Sequence, residues 1–233
     1  MSTFPAIRTS APYIGMLMLS AFLDLFGLHN RFLVDLELAH KASFSAVSPY
    51  LGILSGMLWI TGAGFWIYFI LKILPAIIGR TNLSRRLLRT IGILATVQFL
   101  DNLLLIFIDT MNTSIKSYHL LMEGILLYFM IGFIFVFWYW FFDYPSRSIG
   151  LSSDVQAKVN RISFPEELAT GVNNWQPGLL DYFFLAMVAG INLGIAEGHS
   201  LMGSRLKVAH LFHTLCMSAI FIIIVARAID TMF

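Results

Sequence analysis

Residues 120–142 read LLMEGILLYFMIGFIFVFWYWFF, a run of 23 residues in which Glu123 is the one charged side chain. A helix rises about 1.5 Å per residue, so this run can cross a hydrocarbon core about 30 Å thick. No water reaches backbone N–H and C=O groups inside such a core. An apolar run of this length is therefore expected as a helix that closes its own hydrogen bonds. Comparable runs cover residues 50–78, 87–108 and 208–229. Residues 13–34 form a further span with Asp24, His29 and Arg31 in its second half, and residues 179–196 form a shorter stretch carrying Asp181 and Asn192. The last stretch either crosses the membrane or dips in and returns, and the expected fold is an all-α, polytopic transmembrane helical bundle of about six spans. Residues 143–178 are the long polar loop, with room for a short interfacial helix around Ser163 to Leu168. The whole chain, 1–233, reads as one integral-membrane domain.

Composition excludes other classes. With 58% hydrophobic and 12% charged residues, the chain is far from the soluble average. A soluble enzyme, a disordered tail and a nucleic-acid-binding domain are ruled out, and a net charge of +2 offers no basic footprint for nucleic acid. The single cysteine, Cys216, cannot form an intrachain disulfide. No cleavable signal peptide is expected, so the first span is retained.

Orientation follows from Lys and Arg in short loops. Residues 79–89, GRTNLSRRLLR, hold four arginines, which places that loop in the cytoplasm. Six spans then put Arg8, Lys72, Arg80, Arg85, Arg86, Arg89, Arg147, Lys158, Arg161 and Arg227 inside, ten of the fifteen cations, with Arg31, Lys41, Lys116, Arg205 and Lys207 outside. Both termini are then cytoplasmic.

Polar groups within spans cost several kcal/mol and are the first functional candidates. Asp101 and Asn102 lie inside the third span, and Glu123 follows His119 by one helical turn in the fourth. With Asn192 and Glu197 they form the candidate ion or proton pathway: Asp101, Asn102, Glu123, Asn192 and Glu197. His119, His199, His210 and His213 share the outer face on the six-span reading, with Asp109, Glu123 and Glu197. Imidazole and carboxylate suit zinc or copper, so those four histidines are the candidate ligands of a divalent metal. A proton path and plain interfacial pairing are the alternatives for the same residues. No cofactor is otherwise expected. Phe137 to Phe142 read as an interfacial aromatic belt. Gly52 and Gly56 form a Gly-x-x-x-Gly pair that permits close helix approach.

No nucleophile elbow, His-Glu-x-x-His, phosphate-binding glycine loop or cysteine pair occurs. No enzyme is expected, a metal-dependent membrane enzyme at the histidines being the weak alternative.

The C-terminal part carries a more distinctive order: Trp140-Phe141-Phe142-Asp143-Tyr144-Pro145-Ser146-Arg147, then Phe164-Pro165-Glu166, then Trp175-Gln176-Pro177-Gly178-Leu179-Leu180-Asp181-Tyr182-Phe183. Ser204-Arg205-Leu206-Lys207 and Val225-Ala226-Arg227-Ala228-Ile229 follow. Residues 120–233 thereby resemble a family of bacterial inner-membrane proteins whose last two segments are similar to the pore module of two-span potassium channels. The resemblance implies a pore helix beginning at Asp181-Tyr182-Phe183-Phe184 and a filter position at Ile191-Asn192-Leu193-Gly194. Potassium filters replace the ion's hydration shell with successive carbonyls of Thr-Val-Gly-Tyr-Gly. Residues 190–198 read GINLGIAEG instead, so the resemblance implies no potassium selectivity. A pore loop entering from outside also places the four-arginine loop outside, against the charge rule. The expected function is a channel-like or transport-related membrane protein, with an accessory or structural subunit of a larger membrane complex as the alternative. The expected partners are the lipid bilayer and either further copies of the chain or other membrane subunits.

Overall fold

A computed structural model describes residues 7–40, 48–79, 82–110, 117–149, 161–169 and 175–230; the side chains of 28–40 and 48–55 lie outside the description, His29 and Arg31 among them. Its elements in chain order are α1 (Ile7–His40), α2 (Ser48–Tyr68), a π-helical turn (Phe69–Ile73), α3 (Leu74–Ile77), α4 (Arg85–Asp109) and α5 (Ser117–Ile149). They continue with β1 (Ile162–Ser163), α6 (Pro165–Ala169), α7 (Leu179–Asn192), β2 (Ser200–Leu201) and α8 (Ser204–Asp230). The all-α expectation holds: among the described residues, five helical stretches are long and apolar enough to cross a membrane, Thr9–Gly27, Trp59–Ile77, Arg85–Asp109, Ser117–Pro145 and Ser204–Ala226.

α5 is the central helix. Ile131, Ile134, Phe135, Val136, Phe137, Tyr139 and Trp140 are all buried, and a helix apolar on every face belongs in the middle of a bundle. α1, α4, α7 and α8 pack around it, while α2 packs on α4. Lipid tails are as apolar as leucine, so these helices gain stability from close packing rather than from escape from water. That closeness comes from glycines. An imagined Cβ at Gly92 of α4 would lie 2.6 Å from the Phe137 ring, and one at Gly190 of α7 would lie 2.7 Å from Met217 of α8. An imagined Cβ at Gly56 or Gly64 of α2 would meet nothing within 4 Å among the described residues, and Gly52 lies outside the described side chains. The expected Gly-x-x-x-Gly contact is therefore not found at Gly56. The π-helical turn has a local cause: Pro75 lacks an N–H, and its ring would strike the carbonyl four residues back.

Of the two courses expected for residues 179–196, a crossing or a dip and return, the structure has the second. α7 has 14 residues, about 21 Å of helix and too short for the hydrocarbon core. The chain then returns to the end from which it entered. Tyr182, near the start of α7, donates to Asp143 at 2.8 Å, and the Ile162 N–H donates to the same carboxylate at 2.9 Å. β2, just beyond the return, pairs antiparallel with β1, placing Leu201 opposite Ile162. The segment is re-entrant, so the bundle has five candidate spans instead of six.

Two further corrections follow. Arg205 and Lys207 lie at the same end as Arg85, Arg86, Arg89, Arg147 and Arg161, since Arg205 and the α4 arginines line one cavity. α1 starts at that end, where Tyr13 stacks on Trp140 at 4.5 Å. α8 finishes at the opposite end, where Ile224 meets Gly124 near the start of α5. The start of α1 and the finish of α8 thus lie on opposite sides of the bundle, where the six-span reading puts both on one side. Impermeant maleimide labelling of sealed vesicles checks this in a Cys216→Ala background. Asn82→Cys and Met202→Cys are expected to react from one side and Tyr118→Cys from the other. A full sixth span would group Met202 with Tyr118.

Candidate functional site

The re-entrant arm is held by a polar knot at the end of α5. Asp143 is fully buried directly after the aromatic run. Its carboxylate accepts hydrogen bonds from the Ile162 N–H, the Tyr182 hydroxyl and Arg147 Nε. Arg147, one turn further along the same helix, also pairs with Glu167 of α6 and donates to the Ile162 carbonyl at 2.8 Å. Its guanidinium sits over the Phe164 ring at 5.4 Å. Burial disfavours the Arg147 charge, but the Asp143 carboxylate more than offsets this and holds the group above its ordinary value. Tyr13 of α1 closes the knot by meeting Tyr182 edge-on at 5.7 Å. The sequence reading counted Arg147 only as a loop cation. Its four-residue spacing from Asp143 was the available signal, because that spacing puts both on one helix face.

α7 starts at Gly178, whose N–H donates to Asp181 at 2.6 Å. An acid in the first turn also suits the positive end of the helix dipole. Its buried residues, Tyr182, Leu185, Ala186, Ala189 and Gly190, follow the i, i+3, i+4, i+7, i+8 pattern of one helix face. Met217, against Gly190, lies 13 residues beyond Ser204, roughly 20 Å along α8. The tip of the arm therefore lies well along the candidate span Ser204–Ala226. Leu193 ends the helix with φ of +51°, a left-handed conformation that costs a non-glycine residue about 1–2 kcal/mol. Residues 193–196 then run back without helical hydrogen bonding. At Gly198, φ is +78°, and a Cβ would lie 2.9 Å from Pro165. Glycine is needed there on both counts.

The outer side of this arm is open. Asn192, Leu193, Ile195 and Glu197 are exposed, as are Phe184 and Ile191 of α7 and Leu211 and Leu215 of α8. Non-helical backbone at membrane depth is tolerated where protein buries it or where it lines water, not where it faces lipid.

The candidate pathway residues divide into two sets. Asn192 and Glu197 sit on the arm. Asn102 instead donates to Asp24 of α1, whose other carboxylate oxygen accepts from Gln98. Beside them lies a cavity of about 20 Å³ lined by Asp24, Asn102 and Glu123 among leucines, room for one water. Neither Asn192 nor Glu197 lines it. Asp101 is half-buried on α4, and its Oδ2 has no hydrogen-bond partner among the described residues. Gln98 was not singled out from sequence, since an amide one turn before Asn102 becomes informative only once Asp24 is opposite.

The four histidines do not converge. His210 and His213 both meet the Tyr139 hydroxyl, at 2.9 and 3.0 Å through their Nδ1 atoms. One hydroxyl proton serves one of those nitrogens, so the other imidazole donates to the oxygen. Phe135 stacks flat on His213 at 4.1 Å, and His213 Nε2 has no partner among the described residues. His199 lies on the return, 5.2 Å from the Phe164 ring, and His119 lies against Tyr118 at the far end of the bundle. Among the described residues no three His, Cys, Asp or Glu side chains form a metal-holding group. Tyr139 was missed from sequence because it lay inside an aromatic run that reads as a belt.

No protein-family model, curated protein or solved structure matches the chain.

Proposed function

We propose that the chain is a channel-like, transport-related membrane protein, assembled from several copies whose re-entrant arms face a shared axis. The observation that carries this reading is the non-helical return at residues 193–196, with Leu193 and Ile195 exposed, lying at membrane depth on the open side of α7 and α8. Bilayer physics requires that surface to meet protein or water, and a ring of identical arms supplies both. The resemblance to a channel pore module supports the same form: a span, a short helix, an extended return and a second span. Asn192 at the deep end of the return and Glu197 at its outer end are the pathway residues of this reading. In a bacterial inner membrane the arginine-rich end faces the cytoplasm, since it gathers Arg85, Arg86, Arg89, Arg147, Arg161, Arg205 and Lys207.

The separation of Asp101 and Asn102 from the arm favours one second reading. In it the chain is an accessory subunit, and a different protein covers the open face of α7 and α8. Native mass spectrometry after gentle detergent extraction distinguishes the two. The expected result is a homo-oligomer without other subunits. Liposomes containing it are expected to pass small cations, with flux reduced by Glu197→Gln. Leu193→Cys in a Cys216→Ala background is expected to cross-link between copies on mild oxidation, and Phe107→Cys, exposed on α4, is not. Co-migration with a defined set of other proteins, or tight liposomes, would overturn the channel reading in favour of the accessory one.

A further inference from the structure

Arg85, Arg86 and Arg89 of α4 and Arg205 of α8, with Arg161 ahead of β1, line one cavity of about 540 Å³, completed by Phe141 and Phe142 of α5. Five guanidiniums around one space repel each other, and no carboxylate is part of this lining as described. Arg85 lies over the Phe141 ring at 5.2 Å, and Arg161 donates to the Phe142 carbonyl at 3.0 Å. These contacts hold both groups on the cavity wall, and Arg85, whose contact is to a ring face, keeps its N–H donors for a ligand, since a guanidinium carries five. α4 and α8 also begin here, at Arg85 and Ser204, and add the positive ends of two helix dipoles. The arrangement is built for an anion with several acceptor oxygens.

A second cavity continues from the first. It measures about 590 Å³, shares Phe142 and Arg205 with the arginine cavity, and is otherwise lined mainly by apolar groups such as Val97, Trp138, Val208 and Phe212. Val97 lies 12 residues beyond Arg85, roughly 18 Å down the helix, or about one leaflet's share of the hydrocarbon core. The space is therefore charged at the interface and apolar along the depth of one leaflet. A free phosphate would satisfy only the first part, whereas a phospholipid satisfies both.

We propose that the groove between α4 and α8 is a binding site for an anionic phospholipid, with the phosphate among Arg85, Arg86, Arg89, Arg161 and Arg205 and an acyl chain against Trp138 and Phe212. Trp138 is positioned as a reporter because its indole N–H donates to Thr96 at 3.0 Å, which fixes the ring on the groove wall. The full chain is reconstituted in phosphatidylcholine vesicles, and tryptophan emission is followed as phosphatidylglycerol with brominated chains replaces part of the lipid. Brominated phosphatidylglycerol is expected to quench one component at mole fractions where brominated phosphatidylcholine does not, and that component is absent in Trp138→Phe. Unbrominated phosphatidylglycerol restores it, and inorganic phosphate does not. In the double variant Arg86→Gln, Arg89→Gln, the half-quenching mole fraction rises roughly 25-fold, about fivefold for each arginine. Arg86 and Arg89 are exposed, so unchanged helicity is expected, and Arg205→Gln repeats the test on α8. Equal quenching by the two lipids, an unchanged midpoint in folded arginine variants, or displacement by inorganic phosphate would overturn the proposal.

Discussion

Asp143→Ala is expected to cost about 3–5 kcal/mol and to release the re-entrant arm. The size follows from what the carboxylate holds. Asp143 is fully buried and receives the Ile162 N–H, the Tyr182 hydroxyl and Arg147 Nε. Removing it strands three donors at once, one of them on a guanidinium whose burial already opposes its charge. Each stranded group bears its own desolvation cost, which is why deleting one partner of a buried pair costs more than the pair contributes. Asp143→Asn keeps an acceptor oxygen and loses the ionic pairing, so an intermediate loss is expected. Two measurements separate release of the arm from general unfolding. Thermal unfolding in detergent should shift down in the order wild type, Asn, Ala. His199→Cys, half-buried in the wild-type fold, should become more reactive to maleimide in the Asp143→Ala background, while Asn82→Cys stays as it was. An unchanged His199→Cys rate would mean that the arm is held by its packing alone.

The second large effect is expected at Gly92. A Cβ there would meet Phe137 at 2.6 Å and Trp138 at 3.0 Å. Neither ring can retreat easily: Phe137 is fully buried and packs on Trp138, Trp140 and Phe141. Gly92→Ala is expected to lose about 1–3 kcal/mol to overpacking, against which the better helix propensity of alanine returns at most about 1 kcal/mol. Gly92→Val should be worse and should force α4 away from α5. Gly190→Ala is the control. Its imagined Cβ also lies close to a neighbour, 2.7 Å from Met217 Cε, 3.1 Å from Sδ and 3.2 Å from Cγ, but an unbranched thioether chain adapts more readily than a stacked ring. Gly190→Ala is therefore expected to cost clearly less than Gly92→Ala. Equal losses at Gly92 and Gly190 in the same unfolding assay would refute the argument from ring rigidity.

The helical content was legible because long uncharged runs leave the backbone one economical choice in a bilayer. A short helix is present at α6, two residues later at its start than the expected 163–168, after Ile162 and Ser163 pair as a strand. The choice between a crossing and a dip for residues 179–196 stayed open in the sequence for a different reason. Hydropathy records that a segment prefers lipid-like surroundings, and a half-helix packed on α5 and α8 satisfies that preference as well as a crossing does. The four histidines were grouped on the strength of the extra crossing. When 179–196 turned back, His210 and His213 moved to the arginine end with α8, and the grouping dissolved.

The amino-acid sequence determined by itself that this is a membrane-embedded bundle of apolar helices, because each helix satisfies its own backbone and needs no distant partner to do so. Only the tertiary structure decided which polar groups meet. Asp143 finds its partners 19 and 39 positions away, and Asp24 finds Gln98 and Asn102 at separations of 74 and 78. Such pairings depend on how the helices are arranged around α5. The packing of rings, glycines and methionines sets that arrangement, and no single segment contains it.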